Sequence, residues 1–221
     1  MSVRAVNERG LRLEHVAIHL GGRTLLDIDR LIQPGEVLTV MGPSGSGKSS
    51  LFAYIAGFLD PAFNANGHIY LDGEPIDDKR PEKRSVGLLF QDALLYPHMS
   101  VGTNLLFALP GGLTGRTKRV KRALEMLSRV GLDGLFDRDP ATLSGGQAAR
   151  VALARTLLAE PKALLLDEPF SRLDAPLRKS MRQLVFGLVR ERQIPALLVT
   201  HDREDAEAAG GPLVEIAPAR S

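Results

Sequence analysis

Gly42, Gly47, Lys48 and Ser49 stand at the spacing G-x-x-x-x-G-K-[ST] inside "MGPSGSGKSS", residues 41–50. That pattern makes a phosphate-binding loop, in which successive backbone N–H groups and the positive end of the following helix surround phosphate oxygens. Pro43, Ser44, Gly45, Ser46 and Ser50 belong to the same cradle. Lys48 neutralises charge at the β and γ positions, and the Ser49 hydroxyl is small enough to ligate Mg²⁺. A second reactive group closes "ALLLDEP", where four apolar residues bury a strand and Asp167 and Glu168 emerge at its end. Ligands gather at that end of strands in open α/β sheets. Asp167 is placed to hold Mg²⁺ through water, and Glu168 to polarise a water that attacks a γ-phosphate. Alone, adjacent carboxylates are ordinary solvated charges; beside a phosphate loop the chemical reading is stronger. The third feature is "LSGGQAARVALARTLLAEP". Ser144 can cap the helix that follows, while Gly145 and Gly146 let the backbone approach a ligand, with Gln147 next in line. As plain structure this is a well-capped helix, yet it amounts to a second phosphate-type site in a chain that already has one.

These residues need particular elements beneath them. The phosphate loop requires a strand before it ("EVLTVM") and a helix after it ("SSLFAYIAGFL"); the spacing predicts a helix from about Gly47 to Leu59, stopping at "DP". "ALLLD" (163–167) and "ALLVT" (196–200) have the length and apolar content of buried parallel strands. Earlier, "LEHVAIHL" and "LLDIDRLI" read as strands separated by "GG" and closed by "QPG". "GHIYLDGEPI" reads as a strand with an Asp-Gly turn, and "VGLLFQ" as a buried strand. From about Asp92 to Glu160 the pattern turns helical, with "SVGTNLLFAL" followed by "RTKRVKRALEMLSRVGL". In the latter Val120, Leu124, Leu127 and Val130 repeat at helical spacing, and Gly131 is placed for a C-cap. Helices alternating with apolar strands predict a parallel sheet covered on both faces.

Bulk properties narrow the function classes. A chain of 221 residues holds one large domain or a core with a subdomain. Hydrophobic residues at 44% and charged residues at 24% are those of a globular protein, and a net charge of +2 implies no general affinity for nucleic acid. The cluster Arg116, Lys118, Arg119, Lys121 and Arg122 reads as the solvated face of an amphipathic helix. Zero cysteines exclude disulfides, thiolate metal sites and cysteine nucleophiles. The start "MSVRAVNERG" lacks the apolar segment of a signal peptide. No apolar stretch approaches the ~18 residues of a membrane-spanning helix. Any membrane role is therefore expected to run through a partner chain.

Together the motifs resemble those of the ATP-binding subunits of ABC transporters. "GPSGSGKS" matches that family's Walker A motif and "LSGGQ" its signature motif; "ALLLDEP" looks like Walker B, "SRLD" like the D-loop and "THD" like the His switch. Gln91, in "LLFQDALLYPHMSV", falls at the Q-loop, and all six keep the family's order over about residues 10–205. The resemblance implies an α/β P-loop NTPase (RecA-like) core with an N-terminal antiparallel β subdomain and a helical subdomain at about 92–160. These lie within a single ABC ATPase domain, 1–221, without a C-terminal regulatory domain. It implies ATP and Mg²⁺ as ligands, with Ser49, Gln91 and Asp167 at the metal and Lys48, Gln91, Glu168 and His201 in catalysis. His201 would contact the γ-phosphate and hold the attacking water with Glu168. A lone histidine at a strand end is ordinarily structural, and His15, His68 and His98 have no such context. The resemblance further implies a head-to-tail homodimer in which Ser144, Gly145, Gly146 and Gln147 complete the partner's nucleotide site in trans. Asp174 would communicate across that dimer; read as structure, it caps the helix "APLRKSMRQL".

Two departures stand out. Where the family often has an aromatic that stacks on adenine, this chain offers His19, Leu20 and Gly21, so stacking is weaker or comes from elsewhere. Ala148 and Ala149 follow the signature where long polar residues are common, which reads as surface variation. The segment "DALLYPHMSVGTNLLFAL" resembles the region of bacterial importer ATPases that docks a coupling helix of the membrane subunit, and "LYPHMSV" the versions serving sulfate, molybdate, iron, polyamine or thiamine uptake. As structure alone, Leu94, Leu95 and Tyr96 are core residues at the edge of the helical subdomain. The expectation is the ATPase of a bacterial ABC importer, peripheral on the cytoplasmic face of the inner membrane. It would work as a homodimer with transmembrane permease subunits and a solute-binding protein, not with nucleic acid. The alternative is an ATPase of a lipoprotein-release or cell-division complex. Soluble ABC proteins of translation or DNA repair usually carry two cassettes or a long coiled-coil insertion, and neither is present.

Overall fold

Alternating burial builds the first sheet. Strand β1 (Leu11–Leu20) buries Leu11, Leu13, Val16 and Ile18; the one-residue slip in that alternation is a bulge at His15, where φ is +46°. On one side β1 pairs with β2 (Arg23–Ile32), on the other with β4 (Phe63–Leu71), and β5 (Glu74–Pro75) closes the antiparallel order β2-β1-β4-β5. The register sets Leu20 opposite Phe63. The computed structural model describes residues 9–216, so most of the "MSVRAVNERG" stretch read for a leader lies outside the described residues.

Continuously buried runs build the middle of the second sheet, as expected for strands covered by other elements. Its strands are β3 (Val37–Met41), β6 (Val86–Leu89), β7 (Ala163–Asp167), β8 (Ala196–Val199) and β9 (Leu213–Glu215), in the order β6-β7-β8-β3-β9. β3 runs parallel to β8 and β9, and β7 parallel to β8. β8 therefore sits between the strand of the phosphate loop and the strand of the carboxylates, and all three open at one edge.

Helix α1 (Lys48–Ala56) packs against β7 and β8 and touches β4, placing it between the two sheets. It is shorter than the sequence predicts. Gly57 donates its N–H to Ala53 O and Tyr54 O and ends the helix before Leu59.

The chain divides into two compact units: 9–88, 162–168 and 186–216 form the first, and 89–161 with 169–185 the second. The second holds α2 (Val101–Ala108), α3 (Arg116–Arg129), α4 (Gly145–Leu158) and the start of α5 (Ala175–Arg192), which continues into the first. α6 (Arg203–Ala209) lies against β3. In α3 the buried row is Ala123, Met126 and Leu127, followed by Val130, whereas Leu124 is 45% exposed. Leu127 and Val130 are buried as the spacing predicts, and packing against α2 and α4 turns Ala123 and Met126 inward in place of Leu124. These elements are the core, antiparallel sheet and helical segments of a P-loop NTPase of the RecA-like type. Among the described residues no helix is long and apolar enough to cross a membrane.

Candidate nucleotide site

The phosphate loop leaves β3 and turns into α1 through Gly47, whose φ is +89° and whose missing side chain admits Leu25 and Leu26; a Cβ there would lie 3.0 Å from Leu25 Cβ. Gly47 also occupies the N-cap, so α1 has no side-chain cap, and no acidic residue stands in its first turn. The helix's positive end is thus left to an external anion. Lys48 is only 8% exposed, and its Nζ donates to Gly42 O at 2.8 Å and Pro43 O at 2.7 Å. Those bonds fold the ammonium under the loop and leave one of its three donors for a phosphate oxygen. Ser46 Oγ is buried and finds no hydrogen-bond partner among the described residues, an arrangement that a phosphate would satisfy.

At the same sheet edge β7 ends in Asp167 and Glu168. Burial first, and then the Glu168 charge, push the Asp167 carboxyl above its ordinary range, with Lys48 acting the other way. Glu168 has φ +45°, a left-handed conformation that a side chain disfavours, and its N–H is fixed on Val199 O at 2.9 Å. The carboxylate meets His201, which follows β8: His201 Nδ1 lies 3.0 Å from Glu168 Oε1. β8's place between β3 and β7 is what brings the pair to the loop.

Ser44, Gly45 and Gly47 to Ser50 line a cleft of about 310 Å³ that Glu168 also borders. Its remaining wall is apolar: Leu20, Leu25 and Phe63. Phe63 is the site residue that the sequence does not disclose. It reaches the cleft because β4 pairs with β1 in the register that sets it beside Leu20, and a pairing across more than forty residues leaves no local signal.

The other expected residues belong to the second unit. Gln91 is exposed just beyond β6. Its neighbour Asp92 is ion-paired with Arg172 of "SRLD", which joins two of the motifs. Ser144 caps α4 in a reciprocal box: Gln147 N donates to Ser144 Oγ at 3.3 Å, and Ser144 N to Gln147 Oε1 at 3.0 Å. The Ser144 hydroxyl proton and the Gln147 amide protons remain outside that exchange. Gly146 has an internal reason to be glycine, since a Cβ would fall 2.2 Å from Leu177 Cδ2; nothing crowds Gly145. Asp174 Oδ1 accepts from Leu177 N at 3.0 Å at the start of α5, so the helix-cap reading of this residue holds.

Comparison with known proteins agrees with this geometry. The family model described as ABC transporter matches residues 25–171. The chain is 50% identical over 199 residues to the uncharacterized ABC transporter ATP-binding protein YnjD of Escherichia coli (strain K12), covering 90% of this chain and 91% of that one. It is 40% identical over 200 residues to the thiamine import ATP-binding protein ThiQ of Photobacterium profundum, covering 88% and 82%. Among solved structures, the dimeric post-hydrolysis state of the ATP-binding cassette MJ0796, bound to ADP and Pi, aligns with a TM-score of 0.77 at 30% identity over 95% of this chain and 97% of that one. A loop built for phosphates, a carboxylate–histidine edge beside it and these likenesses lead to one conclusion: the chain belongs to the ABC transporter family, as an ATP-binding subunit that hydrolyses ATP.

Proposed function

We propose that the chain is the ATPase of an importer, a peripheral protein that works as a homodimer on the cytoplasmic face of the membrane. It would drive separate transmembrane permease subunits supplied by a solute-binding protein. The observation that carries this is an exposed apolar patch in the second unit. Leu94 is 57% exposed and Phe107 66%, and Tyr96 stands between them, its ring edge-on to Phe107 at 5.4 Å. The alternative that Leu94, Leu95 and Tyr96 are simply core does not hold: Leu94 and Tyr96 are exposed and Leu95 is half-buried. The loop is nonetheless rigidly built. Buried Asn104 accepts from Tyr96 N and donates to Tyr96 O, Met99 O and Ser100 O, at 2.9 to 3.1 Å. Arg155 bonds Leu94 O and Ala93 O and lies over the Tyr96 ring. A stiff loop that holds apolar side chains in water suits a protein partner. The relative named for thiamine import supports transport inward.

In this reading the loop amides, Lys48 and Ser46 bind and orient the phosphates. Glu168 takes the proton of the attacking water, while His201, bonded to Glu168, holds the γ-phosphate. Oxygen donors at Ser49 and Asp167 fit Mg²⁺, an ion that keeps several waters and takes its other ligands from substrate phosphates. Mg²⁺, when bound, supplies charge neutralisation on the phosphates. Ser144, Gly145, Gly146 and Gln147 complete the partner's site, with Asp174 beside the dimer seam, and the two units act within a single ABC ATPase domain.

The base packs on Phe63 and Leu20. Phe63→Ala should weaken ATP and ADP about tenfold, the scale of one lost base–aromatic stack, and leave pyrophosphate binding unchanged. Titration with the three ligands checks this. Ser144→Ala should cost about 1 kcal/mol of stability through the lost cap, and should depress hydrolysis while the monomer still binds nucleotide. Loss of binding by the monomer would contradict action in trans. The importer reading is tested by placing cysteine at Tyr96 in cells. Cross-links to an integral membrane protein, and release of the Leu94→Asp, Tyr96→Asp variant from the membrane fraction, are the expected results. Cross-links confined to soluble proteins would overturn it.

A further inference from the structure

His201 has an exposed imidazole, 65% accessible, so packing does not aim it. Its backbone, in contrast, is tied down from both sides. Thr200, 1% exposed, donates its hydroxyl to Asp205 Oδ2 at 2.8 Å, and Thr200 Oγ1 itself accepts from Asp202 N at 3.1 Å. The two bonds straddle His201. Thr200 N donates to Val40 O at 3.3 Å, which fastens the segment to β3, and Asp205 N donates to Asp202 O at 3.2 Å. Asp205 itself is 2% exposed. A buried carboxylate is costly unless its hydrogen bonds repay desolvation, and α6 does not need this one as a cap. Asp202 already caps α6 by accepting from Glu204 N at 2.8 Å.

We infer that Thr200 and Asp205 are positioning residues that fix the backbone on either side of His201 and so aim its imidazole. This rests on the role proposed above for His201. The hydroxyl of Thr200 is the joint: it reads the position of Asp205 on α6 and passes it to the Asp202 amide. With Nδ1 on Glu168, the imidazole has a single remaining nitrogen, Nε2, for the γ-phosphate. A rotation of the backbone by a few degrees would move that nitrogen by a large part of an ångström.

The test uses the full chain and its variants. Thr200→Val keeps the shape and removes the hydroxyl; Thr200→Ser keeps the hydroxyl; Asp205→Asn keeps an acceptor oxygen. Thr200→Val should lower kcat about tenfold or more, since small misplacements of a reacting group are expensive. Its Kd for ATP should stay within about twofold, because the phosphate loop is untouched. The ¹⁵N resonances of the His201 ring should shift in Thr200→Val and return in Thr200→Ser, along with kcat. Asp205→Asn should behave like Thr200→Ser, whereas Asp205→Ala, which removes the acceptor, should behave like Thr200→Val and keeps the proposal open to refutation should Thr200→Val fold poorly. A merely structural pair would lower the melting temperature without moving the ring resonances. Full turnover in Thr200→Val, or a Thr200→Ser variant as impaired as Thr200→Val, overturns the inference. His201→Ala separates the two layers: if it hydrolyses ATP normally, the role given to His201 is wrong. If His201→Ala is impaired while Thr200→Val is not, the pair alone is wrong.

Discussion

Lys48→Ala should abolish nucleotide binding at micromolar ATP and reduce phosphate release to background. The Nζ atom makes two bonds to loop carbonyls, at 2.8 and 2.7 Å, from a nearly buried position. Truncation therefore removes a charge that would face the phosphates and also the strut that shapes Gly42 and Pro43. Hydrogen bonds of a charged donor are worth about 1.5–3 kcal/mol each, so losing the phosphate contact and the loop shape together should raise the Kd about a hundredfold or more. Titration with a fluorescent ATP analogue measures the first effect, and a phosphate-release assay the second. Lys48→Arg should rescue neither, because a planar guanidinium cannot reproduce two short bonds to adjacent carbonyls from one nitrogen. Binding within threefold of the parent would show that the amide cradle suffices without the cation.

Glu168→Gln should do the reverse, keeping ATP and losing its hydrolysis. Glutamine retains an oxygen for His201 Nδ1, now 3.0 Å from Glu168 Oε1, so the pair's geometry survives while proton acceptance is lost. General-base removal costs about 10²–10⁴ in rate. With ATP and Mg²⁺ the variant should double its mass in solution, because in the proposed homodimer the nucleotide that would join two subunits is no longer consumed. The substitution also removes a negative charge that pushes the Asp167 carboxyl upward, so Asp167 should titrate lower in the variant than in the parent. Turnover within threefold of the parent would remove Glu168 from the role of base. A monomer holding ATP would mean that the membrane partner is needed to close the dimer.

Much of the site was legible because its parts are local. The phosphate loop, the carboxylates at the end of β7 and the Ser144 cap each depend on residues within one strand–turn–helix passage, and backbone preferences over a few residues specify them. What escaped depends on distant pairings. Phe63 enters the cleft only through the register of β4 on β1. Gly146 reads as room for a ligand, but Leu177 on α5 fills that room. Leu124 has the spacing of a core residue on α3, yet it is exposed while Leu127 and Val130 of the same row are buried.

The insertion of β8 between β3 and β7 bears on how the protein is made. β3 ends at residue 41 and β7 at residue 167, but the strand that joins them begins only at residue 196. Pairings over such separations form slowly, because a long loop must close before any contact rewards it. A nascent chain halted short of β8 carries the phosphate loop and both carboxylates with no shared edge on which they can meet. Competence to hold ATP thus arrives late in synthesis. From then on the nucleotide acts as a ligand of the finished fold alone, favouring it by mass action over every incomplete form.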